Sequence, residues 1–191
     1  MNTNTYDLII LGGGLASLSL TRQLQLQNKS LKIAVIERQK HPIAEAAHKV
    51  GESLVEISTH YFKDRLKLED HLKNDQLPKA GLRFFFSEGD NQDISKRIEF
   101  GASYFPDTPS FQIDRGRFEN FLRETIIDGG ADFLDQTSVL SVELSASNTD
   151  HTVHIRTPAE TTSLNARWVV DATSRFGLLK RHLNLAEPVK H

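Results

Sequence analysis

Apolar residues fall into short dense blocks separated by stretches of wider spacing, and the alternation predicts a chain of strands and helices. Tyr6 to Leu11 is a continuous apolar run, as expected of a strand buried on both faces of a parallel sheet. Ala16, Leu20 and Leu24 recur every four residues and predict one face of a helix. Leu31 to Ile36 reads as the next strand and ends at Glu37. Strand, glycine turn, helix and strand within about 30 residues make a βαβ unit. Residues 39–52, with Pro42 among them, are predicted to be an irregular loop. Leu54, Ile57, Tyr61, Leu66 and Leu68 predict a helix over 54–72. Leu82 to Phe86 reads as a strand, and the polar residues 89–94 as a turn or loop. Phe111 to Ile113 is extended, and Asp114 is placed to cap a helix over 115–127 that Gly129-Gly130 stops. Ala131 to Leu134 is predicted as a further parallel strand. Val139–Leu144 and Val153–Thr157 alternate and pair as a hairpin or meander. Ala166 to Asp171 is a last apolar strand ending in an acid.

This order predicts an α/β fold, a Rossmann-like doubly wound parallel sheet with an additional β-meander. No linker-like stretch divides the chain, so one main domain over 1–191 is expected, with an inserted excursion at 75–110. A length of 191 residues can bury a sizeable core. The net charge of −2, without any Lys/Arg-rich block, argues against a nucleic-acid partner. Cysteine is absent, which removes disulfides and thiolate chemistry and suits a cytoplasmic location. The early apolar run is far shorter than the roughly 18 to 20 residues of a membrane span, so no span is expected.

The densest chemical signal is Gly12-Gly13-Gly14-Leu15-Ala16-Ser17, directly after the first strand. Gly12 permits the tight turn, and Gly14 lets the backbone approach a pyrophosphate without an intervening Cβ. The helix N-terminus beyond offers free N–H groups and partial positive charge to phosphate. Ser17 stands where the third glycine of G-x-G-x-x-G serves close packing. Glu37 lies 25 positions after Gly12, close to the spacing at which an acid meets ribose hydroxyls. A carboxylate there favours an unphosphorylated ribose, as in FAD or NAD, over NADP.

Four further motifs follow in order: Glu37-Arg38, Lys49-Val50-Gly51-Glu52-Ser53, Gln112-Ile113-Asp114-Arg115 and Asp171-Ala172-Thr173-Ser174-Arg175. With the glycine turn, this series resembles the flavin-dependent halogenases of the tryptophan-halogenase type, whose wider superfamily includes aromatic hydroxylases and geranylgeranyl reductases. The resemblance covers essentially the whole chain. Leu77-Pro78-Lys79-Ala80-Gly81-Leu82-Arg83-Phe84 and the run Phe111 to Phe118 look more like the halogenases than the hydroxylases. Asp171 to Arg175 is similar to the family's D-A-[ST]-G-R, with Ser174 in place of glycine.

The resemblance implies FAD as cofactor. It assigns Gly12, Gly14, Leu15, Ala16, Ser17 and Glu37 to the ADP half, and Arg38 and Gln112 to the ribose or pyrophosphate region. It puts Ser53 near the flavin, the Val139 backbone at adenine, and Asp171 and Ala172 at the adenosine end. Arginine suits planar recognition of phosphate oxygens; Arg115 could equally pair with a neighbouring carboxylate, and Gln112 could be an ordinary polar strand residue. The resemblance also makes Lys79 the catalytic candidate, since a lysine aligned with this stretch meets hypochlorous acid and directs chlorine to the substrate. A separate flavin reductase would supply reduced FAD, and a small, electron-rich, aromatic molecule would be the substrate.

Two features of the family are absent. The W-x-W-x-I-P element and the Gly-Asp pair near the isoalloxazine lie, in relatives, beyond the point where this chain ends. The expectation is therefore an N-terminal segment without its substrate domain, with weak retention of FAD. A hydroxylase or reductase of the same superfamily, and a non-catalytic flavin- or partner-binding remnant, are the competing readings. Trp168 is expected in the core, and Phe84 to Phe86 in a buried strand or partly lining a substrate cavity. No metal is expected: His151 and His154 are three apart on a strand and point to opposite faces. His60 and His71 are expected at the surface or as caps, and Glu69-Asp70 on a solvated helix face.

Overall fold

A computed structural model describes residues 4–87, 92–104, 107, 109–147 and 149–187. The predicted turn at 89–94 lies largely outside these; of it, Ile94 opens a short 3₁₀ turn to Lys96.

The elements, in order, are β1 (Thr5–Leu11), α1 (Leu15–Gln27), β2 (Ile33–Ile36), α2 (Glu56–His60), α3 (Glu69–Asp75), β3 (Leu77–Lys79), β4 (Phe84–Phe86), β5 (Ile98–Phe100), β6 (Ser110–Gln112), α4 (Arg115–Asp128), β7 (Asp132–Leu134), β8 (Ser138–Glu143), β9 (His151–Arg156), β10 (Thr161–Asp171) and α5 (Leu178–His182). They form two compact units, Met1–Ala47 with Arg115–His191, and His48–Asp114. The excursion expected at 75–110 falls inside the second unit, which also takes in residues 48–74.

The first unit is a six-stranded sheet in the order β7-β2-β1-β10-β9-β8. β7, β2, β1 and β10 run parallel, and β10, β9 and β8 continue as an antiparallel meander. The four residues of β2 are all buried, as are Leu8 to Leu11 of β1, which accounts for their unbroken apolar runs. One core cluster joins Ile9, Leu11, Ala34 and Ile36 to Val142, Val153, Ile155, Leu164 and Ala166 of the meander. Helix α4 buries Phe118, Leu122 and Ile126 at a spacing of four, together with Glu119. Gly130, at φ +91°, ends its last turn, with the Ala131 amide donating back to the Ile126 carbonyl.

Helix α1 buries a different stripe from the expected one. Ser17, Leu18, Thr21 and Gln25 are inside, whereas Ala16 is exposed and Leu20 and Leu24 are half-buried. The reason is its partner, α4: the Gln25 amide donates 2.7 Å to the Ile126 carbonyl, and Gly129 leaves the room that side chain occupies. Small and polar residues let the two helices approach closely.

Trp168 is 64% exposed rather than core. β9 pairs with β10 only as far as Ala166, and beyond that residue β10 pairs with β1 alone among the described residues.

In the second unit the predicted helix over 54–72 is broken. α2 passes into a π-helical turn at Tyr61–Arg65, Lys67 takes φ +60°, and α3 starts at Glu69. Leu66 and Leu68 are both buried, and residues two apart cannot share one face of a continuous helix. The break resolves that conflict, and leaves Ile57 at 77% exposed. His71 is buried rather than at the surface: its Nε2 meets the Gln76 amide nitrogen at 3.0 Å, and its Nδ1 faces Asp75 at 3.2 Å. Phe84, Phe85 and Phe86 form a two-stranded ribbon with β5 and stay exposed, no second layer covering it among the described residues.

Candidate functional site

The glycine turn sits at the C-terminal ends of the parallel strands, where open α/β sheets bind ligands. Each of its glycines answers a different constraint. Gly12 has φ +99°, and a Cβ on it would stand 2.7 Å from the Ala172 carbonyl oxygen. A Cβ on Gly13 would stand 2.6 Å from the Glu37 Cβ and 2.9 Å from the Phe133 ring. A Cβ on Gly14 would meet nothing within 4 Å. Gly12 and Gly13 therefore let Ala172, Glu37 and Phe133 close in on the turn, and Gly14 faces open space at the start of α1.

Glu37 lies against the turn. Its carboxylate accepts from the Gly13 amide at 2.6 Å and from the Gln39 amide at 2.7 Å. Two amide donors fix the carboxylate beside the glycines. The buried Ser17 donates 2.7 Å to the Gly14 carbonyl and closes the first turn of α1. Leu15 is half-buried, and Ala16 and Arg38 are exposed at the same end of the sheet.

On the other side of the turn, the Ala172 amide donates 2.9 Å to the Leu11 carbonyl. The Asp171 carboxylate accepts from the Thr173 amide at 3.0 Å, the Thr173 hydroxyl at 2.5 Å and the Leu179 amide at 2.7 Å. Burial pushes its pKa up, but the hydrogen bonds from Thr173, Leu179 and Lys180 outweigh that and hold it below the usual carboxylate value. Asp171 is thus a staple that shapes the loop carrying Ala172. Val139 is half-buried at the far wing of the sheet, opposite Ile155.

The remaining candidates, Ser53, Lys79 and Gln112, come together in the second unit although the sequence separates them widely. β3 pairs antiparallel with β6, and residues 52–54 pair with the other edge of β6 through the Ser53–Gln112 bridge. The Leu54 amide donates 2.9 Å to the Phe111 carbonyl, and the Ile113 amide 2.8 Å to the Glu52 carbonyl. Gln112 is the exposed middle of this three-strand patch, opposite Ser53 on one side and Leu77 on the other. Lys79 Nζ donates 2.8 Å to Ser53 Oγ and also to the Leu54 carbonyl. Arg115, at the start of α4, pairs with the buried Glu119.

Three contributors were missed by sequence reasoning. Gly13 has no role in the sequence reading, although three successive glycines signal more than one close approach. Thr173 lies two residues after an aspartate, the signature of a side-chain turn. The Leu54 carbonyl has no sequence signal, being a backbone group. Among the described residues no group of three His, Asp or Glu side chains could hold a metal, and no helix is long and apolar enough to cross a membrane. His151 and His154 have separate partners: Nδ1 of His151 accepts from the Ser145 amide, and His154 lies between Glu143 and Ser163.

No family model matches the chain. It is 32% identical over 98% of its length to the flavin-dependent halogenase chlA of Dictyostelium discoideum. The chain is similar to flavin-dependent halogenases over nearly its whole length. A second relative, the chlorinase of Pseudomonas fluorescens that acts on 1H-pyrrole-2-carbonyl-[peptidyl-carrier protein], is 28% identical over 98% of the chain. The fold is that of the myxobacterial chondrochloren halogenase CndH, a variant of FAD-dependent halogenases, with TM-score 0.71 and 25% identity over 88% of the chain and 37% of CndH. The chain spans 34% of the length of the Dictyostelium halogenase and 43% of that of the Pseudomonas chlorinase.

Proposed function

We propose that this chain is part of a flavin-dependent halogenase, binds FAD through the glycine turn of its first unit and supplies Lys79 to a halogenation reaction. The residues fit the cofactor: an open cradle lies at Gly14, where a Cβ would meet nothing, and the amide-bearing start of α1 follows it. Gly12, Gly14 and the first turn of α1, with Leu15, Ala16 and Ser17, receive the pyrophosphate. Glu37, its carboxylate fixed beside Gly13, accepts from ribose hydroxyls, and Arg38 neutralises phosphate charge. The loop at Asp171–Ala172 and the backbone at Val139 receive the adenosine end; Ser53 and Gln112, in the second unit, are proposed FAD contacts by family resemblance alone. Reduced FAD, provided by a separate flavin reductase, supplies the electrons with which oxygen turns halide into an electrophile. The chain's own chemical contribution is Lys79, whose ammonium presents a proton and a positive charge from a fixed position. The substrate is a small, electron-rich, aromatic molecule; the Pseudomonas relative is named for an aromatic pyrrole, there held on a carrier protein. The cysteine-free sequence suits a cytoplasmic setting.

The observation that carries this reading is Lys79. A lysine at an exposed strand end ordinarily extends into water, yet this one is half-buried and turned across β6 onto Ser53 and Leu54. The test is Lys79→Ala in an enzyme of the relatives' length that carries this chain. Halogenation is expected to fall by at least about 100-fold, the usual loss on removing a proton-transfer group, with FAD content unchanged. Unchanged halogenation would overturn the assignment. The chain by itself is expected to lose FAD on gel filtration, and a yellow protein peak would contradict that.

A further inference from the structure

We infer that Ser53 is the positioning residue of Lys79, setting where its ammonium points. The inference rests on the reading of Lys79 given above, although the contact itself does not. Donor and acceptor stand on the two outer strands of one patch: Lys79 on β3, Ser53 on residues 52–54, with β6 between them and hydrogen-bonded to both. Each strand is held separately. The Ser110 hydroxyl donates 3.2 Å to the Lys79 carbonyl, and the Glu52 side chain accepts 3.0 Å from the Lys49 amide.

A lysine side chain has four rotatable bonds and loses much freedom when its end is fixed. Here two of its three N–H donors are taken, one by Ser53 Oγ and one by the Leu54 carbonyl. Two acceptors from adjacent residues define a direction, which leaves the third N–H aimed at one place. Both acceptors are neutral oxygens, so the contact orients the ammonium without cancelling its charge. The Leu54 carbonyl cannot be removed by substitution. The Ser53 hydroxyl can, and it is the only one of the two acceptors that varies with the sequence. The same hydroxyl, having accepted from Lys79, still has its own proton to donate outward, so Ser53 and Lys79 offer adjacent donors to one incoming oxygen or halogen.

The experiment is heteronuclear NMR of the lysine Nζ–H signals in this chain, with Lys79→Gln identifying the Lys79 cross-peak. A hydrogen-bonded ammonium exchanges its protons slowly, so Lys79 is expected to give a visible peak where the exposed Lys29 and Lys40 do not. Ser53→Ala is expected to speed exchange at Lys79 at least fivefold, and Ser53→Thr, which keeps the hydroxyl, to restore the slow rate. Ser53 is exposed, so neither variant disturbs a core, and unchanged amide shifts at Phe111 and Gln112 verify the patch. A Lys79 signal no slower than those of Lys29 and Lys40, or one indifferent to Ser53→Ala, overturns the inference. If the signal responds while Lys79→Ala leaves halogenation intact in the longer enzyme, the positioning contact stands and the catalytic reading of Lys79 falls.

Discussion

The glycine turn of the first unit and the lysine patch of the second achieve fixed geometry by opposite means. The turn is crowded: the backbone of Ala172 and Thr173, the stem of Glu37 and the Phe133 ring close on Gly12 and Gly13 from different sides. The patch is sparse, with Ser53 and Gln112 exposed and Lys79 half-buried, and its side chains are held by strand pairing and two hydrogen bonds. A crowded site is set by packing and fails when the backbone changes. A sparse one is set by polar contacts, and its parts can be changed without loss of fold.

The sharpest contrast is between two glycines with the same backbone preference. Gly12, at φ +99°, also has the Ala172 carbonyl against it, whereas Gly51, at φ +89°, has nothing within 4 Å. Gly12→Val should cost about 3 kcal/mol or more, because steric overlap adds to the left-handed strain. Gly51→Ala should cost only about 1 kcal/mol, the strain alone. Denaturant midpoints of the two variants measure this directly. Equal costs would mean that packing does not distinguish the two regions.

Next in size is the Asp171 staple. Asp171→Ala leaves the Thr173 and Leu179 amides without their acceptor and should cost about 2 kcal/mol, the usual penalty for stranded partly buried donors. The carboxyl's pKa is lowered in the fold, so its contribution is complete above its unfolded value, about 3.9, and is lost as pH falls through the folded value. The variant's deficit should therefore shrink in acid. A deficit that stayed constant down to the acid transition would show that the charged form is not what the loop needs.

Legibility followed the same division. The parallel strands, the turn, Glu37 and the Asp171 motif could be read because buried strands are unbroken apolar runs and the turn imposes fixed spacings. α4 could be read from its flanks, Asp114 before it and Gly129-Gly130 after it. What failed depended on partners the sequence does not display. α1 turned its Thr21–Gln25 side inward because α4 offered Gly129 and a carbonyl. The helix over 54–72 broke because Leu66 and Leu68 both had to be buried. Trp168 and Phe84 to Phe86 looked like core because an apolar residue in a strand shows no sign of whether a second layer covers it. Lys79, Ser53 and Gln112 could each be named, but their meeting depends on β6 lying between two strands distant in sequence.

A smaller effect concerns His41, which tests how dry the crowded region is. The imidazole is buried edge-on to Phe133 at 4.8 Å, and its Nδ1 has no hydrogen-bond partner. Burial lowers its pKa; Glu37, Asp135 and Glu119 pull it back up, and Arg123 adds to the lowering. The unfolded chain then takes up the proton first as pH falls below about 6.5, so stability is full above that pH and declines beneath it. The slope from this one group is at most about 1.4 kcal/mol per pH unit. Denaturant midpoints between pH 5 and 8 should fall in acid for the unaltered chain and flatten in His41→Phe. Parallel pH profiles would mean that water reaches the ring.

The smallest effect on folding belongs to Gly14, and it separates the cradle from the packing that surrounds it. Its backbone is extended, at φ −81° and ψ −175°, a conformation open to any residue, and a Cβ there meets no atom of the protein. Gly14→Ala should therefore change stability by no more than about 0.5 kcal/mol, as substitutions away from strain and packing do. A methyl group at that point nonetheless stands where a pyrophosphate must approach the start of α1. FAD affinity in an enzyme of the relatives' length should drop at least tenfold while the denaturant midpoint of this chain stays in place. If Gly14→Ala instead destabilised the chain as Gly12→Val does, the open space would be part of the fold's own packing. If it altered neither stability nor affinity, the cofactor would not pass over Gly14, and the cradle would have to be sought at the Ala172 side of the turn.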